Sequence, residues 1–180
     1  MLGCNPAGRN TEQHDVYLTV ASHIRDTVSE IISFWPEADG NIHIDAWREV
    51  TQVDGFTVEV QLKSELMTNL NIDQQKLFFI NLGGYKEYEF DEFHYKMLVA
   101  ASDKGSAIMQ AKKSAFYKHT RFKGAESHID DKFGVDVDDI YQIEDILPAS
   151  IKEKYIIMLK ENDSGKEDEL NLGYFKLDNI

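Results

Sequence analysis

The chain has 180 residues and a formal net charge of −13, with 42% hydrophobic and 11% aromatic residues, which is the make-up of a folded globular protein. The acidic field and only four arginines (Arg9, Arg25, Arg48 and Arg121) argue against nucleic acid or an anionic membrane as partners. No apolar run approaches the roughly 18 residues of a membrane span, no signal-peptide pattern opens the chain, and the lone Cys4 fits a reducing compartment. A cytoplasmic protein is expected.

In chain order, Met1 and Leu2 are all that precedes Gly3 where a first strand should run, so that strand is expected to be a stub. A turn follows at Pro6–Asn10, then a strand over His14–Ala21. Ser22 is placed to cap a helix reaching Trp35, because Ile24, Val28, Ile31, Ile32 and Trp35 recur at helical spacing. Pro36 and Gly40 close it. Strand Ile42–Val50 leads through Asp54-Gly55, a type I′ turn signal, into the alternating strand Phe56–Leu62. On Ile42–Val50, alternation predicts that Ile42 and Ile44 face the core, leaving His43, Asp45 and Trp47 more accessible.

The polar stretch Ser64–Gln75 reads as a linker. Lys76–Leu82 (KLFFINL) is apolar on both faces and reads as a central strand. His94–Ala101 is the next strand, and Ser102–Phe116 a helix with Ala107, Ile108, Ala111 and Ala115 as its stripe. The acidic stretch containing Asp130, Asp131, Asp136, Asp138, Asp139, Glu144 and Asp145 lacks EF-hand spacing and reads as a solvated hairpin. Lys154–Lys160 and Leu172–Leu177 are expected to form a closing hairpin.

These elements repeat. At an offset of 80, Met1–Ser22 matches Asn81–Ser102 at Leu2/Leu82, Gly3/Gly83, Glu12/Glu92, His14/His94, Leu18/Leu98, Ala21/Ala101 and Ser22/Ser102. At an offset of 85, His43–Leu62 matches His128–Leu147, beginning with His43/His128, Ile44/Ile129 and Asp45/Asp130. The expected fold is α+β: a tandem duplication of a ββαββ unit, with mostly antiparallel sheets, one helix per unit and a C-terminal β-hairpin. The boundaries are 1–63 for the first unit, 64–75 for the linker, 76–150 for the second unit and 151–180 for the hairpin, packed as one pseudo-twofold domain.

The segments Leu2–Val16 (LGCNPAGRNTEQHDV), His43–Trp47 (HIDAW), Phe78–Tyr85 (FFINLGGY) and Asp136–Leu147 (DVDDIYQIEDIL) resemble the bacterial family known as domain of unknown function 1543. The resemblance spans residues 2 to about 150 and implies one or two copies of such a unit. It implies no catalytic residues.

Two kinds of His–carboxylate pair recur: Glu12/His14 with Glu92/His94, and His43/Asp45 with His128/Asp130. A spacing of two on a strand sets both side chains on one face, and imidazole with carboxylate suits zinc, manganese or iron. No cofactor is expected, and a divalent metal is the candidate at His43, Asp45, His128 and Asp130. Glu12, His14, Glu92, His94 and the turn residue Arg9 are candidates for ligand binding, and Cys4 is a weaker candidate nucleophile with His14 or His94 as base. The leading expectation is a small binding protein without catalysis, monomeric or homodimeric, holding an unidentified protein or small molecule at the interface of its repeats. The alternative is a metal-dependent enzyme that uses the repeated His–carboxylate pairs. Convergence of the histidines separates the two.

Overall fold

The computed structural model describes residues 1–65, 75–85, 88–120, 136–162, 165 and 167–180. Strand β1 (Leu2–Cys4) is followed by β2 (Gln13–Asp15), helix α1 (Val28–Phe34), and strands β3 (Ile42–Trp47), β4 (Gln52–Val53) and β5 (Phe56–Leu62). Next come β6 (Lys76–Tyr85), β7 (Glu92–Ala101), helix α2 (Lys104–Thr120) and β8 (Asp136–Gln142). The short helices α3 (Ile143–Ile146) and α4 (Ala149–Lys154) lead to β9 (Tyr155–Glu161) and β10 (Asn171–Lys176). The fold is mixed α+β, and the strand pairings are antiparallel in three sheets ordered β10-β3-β1-β2, β4-β5-β9 and β7-β6-β8.

Three apolar clusters hold the sheets. Leu2, Cys4, Ile42 and Ile44 line one face of the first sheet and pack with Ile31, Ala38 and Leu177. Phe78, Ile80, Leu82, Val99 and Ala101 of the third sheet meet Ala107 and Ala111 of α2, whose small side chains let the helix lie close. Leu77 and Ala100, on the opposite face of that sheet, join Val53, Ile143, Leu147, Ile151 and Leu159 in a third cluster. KLFFINL is therefore buried on both sides, as its composition predicts.

Asp54 ties the two halves together. Asp54 and Gly55 turn the β4–β5 hairpin at φ 51° and 81°, the positive pair that a type I′ turn needs. The Asp54 carboxylate accepts from the Ala100 backbone N–H at 2.9 Å and from Gln110 Nε2 at 2.8 Å. Asp54→Ala should destabilise the protein by about 1–3 kcal/mol, because a buried N–H loses its acceptor. Asp54→Asn keeps an acceptor oxygen and tolerates the positive φ, so it should cost less. The urea midpoints of the two variants check the ordering.

Several expectations need correction. Strand His14–Ala21 stops as β2 at Asp15, because the three residues of β1 reach only Gln13–Asp15 on that side. Beyond it Leu18 and Val20 turn to the third cluster. The first helix begins with a 3₁₀ turn at Ile24, where Asp26 accepts from the His23 backbone N–H at 3.1 Å, and Ser22 is not its cap. Asp103 likewise replaces Ser102 as the cap of α2: it accepts from the Ser106 backbone N–H at 2.9 Å, and these hydrogen bonds hold its carboxyl below the usual range.

The segment matched to strand Phe56–Leu62 is not a strand throughout. β8 ends at Gln142, and Ile143, Leu147 and Ile151 then recur every four residues to bury one face of α3 and α4. The C-terminal hairpin is also corrected. β9 pairs with β5 from Leu62↔Tyr155 to Phe56↔Glu161, whereas β10 pairs with β3. Most of the linker lies outside the described residues.

Candidate functional site

The central strand β1 brings the first candidate residues together. Gly3 stands opposite His14 on β2 and opposite His43 on β3. Two residues along each flanking strand, Glu12 and Asp45 share that face, while Leu2, Cys4, Ile42 and Ile44 point to the core. His14 Nε2 lies 3.6 Å from Glu12 Oε2 and 3.4 Å from Asp45 Oδ2. His43 Nε2 lies 3.0 Å from Glu12 Oε1 and 3.1 Å from Asp45 Oδ1. Each imidazole thus sits between one oxygen of each carboxylate.

Gly3 makes this convergence sterically possible. A Cβ there would lie 2.4 Å from His43 Nε2 and 2.6 Å from Asp45 Oδ2, so the side chains lean over bare backbone. The Tyr174 ring of β10 stacks on the His43 imidazole with centroids 4.1 Å apart. That cover corrects one expectation: His43 is as buried as Ile42, both at 5%, although it faces away from the core. Asp45 and Trp47 are partly exposed, in the order alternation predicts. His43 Nε2 and Asp45 Oδ2 are buried without a well-aligned hydrogen bond.

The third sheet carries a related group. Gly83 stands opposite His94 on β7 and opposite Asp136 on β8. Donor atoms of Glu92, His94 and Asp138 all lie within 4.8 Å of one another, with His94 Nε2 at 3.2 Å from Asp138 Oδ2. Here Asp138, read from sequence as part of a solvated hairpin, joins the cluster. Its signal was the Asp136-x-Asp138 spacing, which mirrors His43-x-Asp45. His128 and Asp130 lie outside the described residues. The register opposite the glycines relates His43 to Asp136 at an offset of 93, not to His128 at 85.

Arg9 is exposed in a turn closed by its N–H to Pro6 O at 3.2 Å, and the ion pairs around Gly3 do not include it. Cys4 is buried in the core on the face opposite His14, and burial pushes its thiol pKa up, against a role as nucleophile. Each His–carboxylate cluster is assembled from one half of the chain, so neither is the shared cleft expected between repeats. No described helix is long and apolar enough to cross a membrane.

Residues 9–60 match the family model Domain of Unknown Function (DUF1543), the family that the motifs of the first half resemble. No curated protein matches the sequence. The fold is similar to that of the protein Il1583 from Idiomarina loihiensis, at a TM-score of 0.63 and 18% identity, over 98% of this chain and 93% of that chain. At that identity the likeness concerns the fold alone.

Proposed function

We propose that this protein binds a divalent transition metal over Gly3, through Glu12, His14, His43 and Asp45. The observation that carries the reading is His43. Its side chain is 7% exposed, yet its Nε2 faces two carboxylate oxygens at 3.0 and 3.1 Å and makes no aligned hydrogen bond. A buried polar atom left in that condition costs about 1–3 kcal/mol, and a cation accepting the imidazole lone pair removes the cost. Each imidazole Nε2 lies 3.0–3.6 Å from one oxygen of each carboxylate, near the roughly 3.0 to 3.4 Å between neighbouring ligands at about 2.1 Å from one ion. Because each imidazole faces a different oxygen, the carboxylates must turn to present one oxygen to a shared ion. Two imidazoles with two carboxylates favour zinc, manganese or iron over the harder magnesium and calcium.

Glu12 and His14 are nearly half exposed, so they can adjust around an ion, and that side stays open to water or a further ligand. The clustering of His14 and His43 with two carboxylates supports metal binding over dispersed polar pairs at strand ends. A tandem duplication accounts for the arrangement in both halves. The strand orders β2-β1-β3 and β7-β6-β8 agree, and Gly3/Gly83, Glu12/Glu92 and His14/His94 recur at one offset.

Metal analysis of untagged protein, with zinc titration of variants, tests the reading. His14→Ala and His43→Ala are each expected to weaken zinc binding by at least about 10–100-fold, the loss that follows removal of a group merely supporting a ligand. Unchanged zinc affinity in both would sink it.

A further inference from the structure

Beyond the site over Gly3, we infer that Glu92, His94 and Asp138 form a second divalent-cation site over Gly83, suited to a harder ion. Three observations converge. The donor atoms of these residues are mutually within 4.8 Å, near enough to meet on one ion. The register of β6 against β8 slips so that Leu82 faces Val137 while Asn81 faces Asp139, leaving Asp138 as the extra residue of a bulge. A bulge re-aims its side chain, and such irregularities concentrate beside functional sites. Finally, the Asp138 carboxylate lies over Gly83 so closely that a Cβ there would be 2.5 Å from Oδ2 and 2.8 Å from Oδ1. The bare backbone is used as it is at Gly3, although here the carboxylate arrives through a bulge, whereas β1 and β3 pair in regular register.

The donor set differs from the first in a way that sets the ion. One imidazole and two carboxylates replace two and two, and register places Asp136 where the first half has His43. A mainly oxygen set suits manganese or magnesium better than zinc. His94 and Asp138 are each about one-third exposed and no ring is stacked on His94 among the described contacts, so the ion would exchange readily with solvent.

The experiment is Mn²⁺ titration of the full chain, followed by the electron paramagnetic resonance signal of the free ion. Wild type, His43→Ala, His94→Ala and Asp138→Asn are compared, with circular dichroism to establish folding. The expected result is that Asp138→Asn and His94→Ala each weaken one Mn²⁺ equivalent at least tenfold, while His43→Ala leaves that equivalent in place. Asp138→Asn keeps size and the bulge, so it remains informative if His94→Ala unfolds. Mn²⁺ binding unaffected by Asp138→Asn overturns the proposal. The two sites stand separately: loss of Mn²⁺ in Asp138→Asn, with zinc affinity indifferent to His14→Ala and His43→Ala, would remove the first site and keep this one.

Discussion

Gly3→Ala should strongly weaken metal binding by the first cluster while leaving the fold standing. In an open strand, alanine at a glycine position is neutral or favourable, since it lowers the entropy of the unfolded chain. Here the added methyl would occupy the space of His43 Nε2 and Asp45 Oδ2, at 2.4 and 2.6 Å. His43 cannot simply retreat, because Tyr174 covers its ring. The imidazole and the carboxylate must therefore be displaced from each other. We expect zinc affinity to fall about 100-fold, at the upper end of the effects of misplacing groups around a metal. The accompanying destabilisation should be about 1–3 kcal/mol, the ordinary range for overpacking. Isothermal titration with zinc and a urea melt separate the two. Affinity unchanged from wild type would mean that no ion sits over this strand.

The largest effect on stability should come from Phe78→Ala. Phe78 is 1% exposed on β6, the middle strand of the third sheet, and packs with Ile80, Leu82, Val99 and the alanines of α2. Removing a buried phenylalanine side chain costs about 3–5 kcal/mol, through lost transfer free energy and the cavity left behind. Single domains have only about 5–15 kcal/mol in total, so the variant should melt far below wild type or fail to accumulate. Met109→Ala on the exposed side of α2 is the matched control and should change the melting temperature little. A Phe78→Ala midpoint close to wild type would contradict the assignment of this cluster as the core beneath α2.

Much of the candidate site was legible as residue pairs. Glu12/His14 and Glu92/His94 recur at one offset, and His43/Asp45 announces itself by its spacing on a predicted strand. Their assembly was not legible. Which pair meets which depends on strand pairing, and β1 joins β2 to β3 through residues roughly ten and forty positions apart. The pair His128/Asp130 lies outside the described residues, and the part of Asp138 depends on the bulge between β6 and β8, which residue matching does not register. Tyr174 carries no signal at all until β10 is seen beside β3.

The sequence by itself determined the local events. Alternation marks strands, helical spacing marks α1, Asp54-Gly55 marks its turn, and a doubly apolar run marks the central strand β6. Each depends on residues within a few positions of one another, where backbone sterics and side-chain period decide. Tertiary structure alone decided three other things: that β9 leaves its neighbour β10 to pair with β5, that a helix follows β8 where a strand was matched, and that bare glycine backbone carries the two His–carboxylate clusters. The physical reason is common to all three. Buried area and free hydrogen-bonding edges are properties of the assembled sheets, and a segment joins whichever edge and cluster bury its apolar face, however distant in the chain.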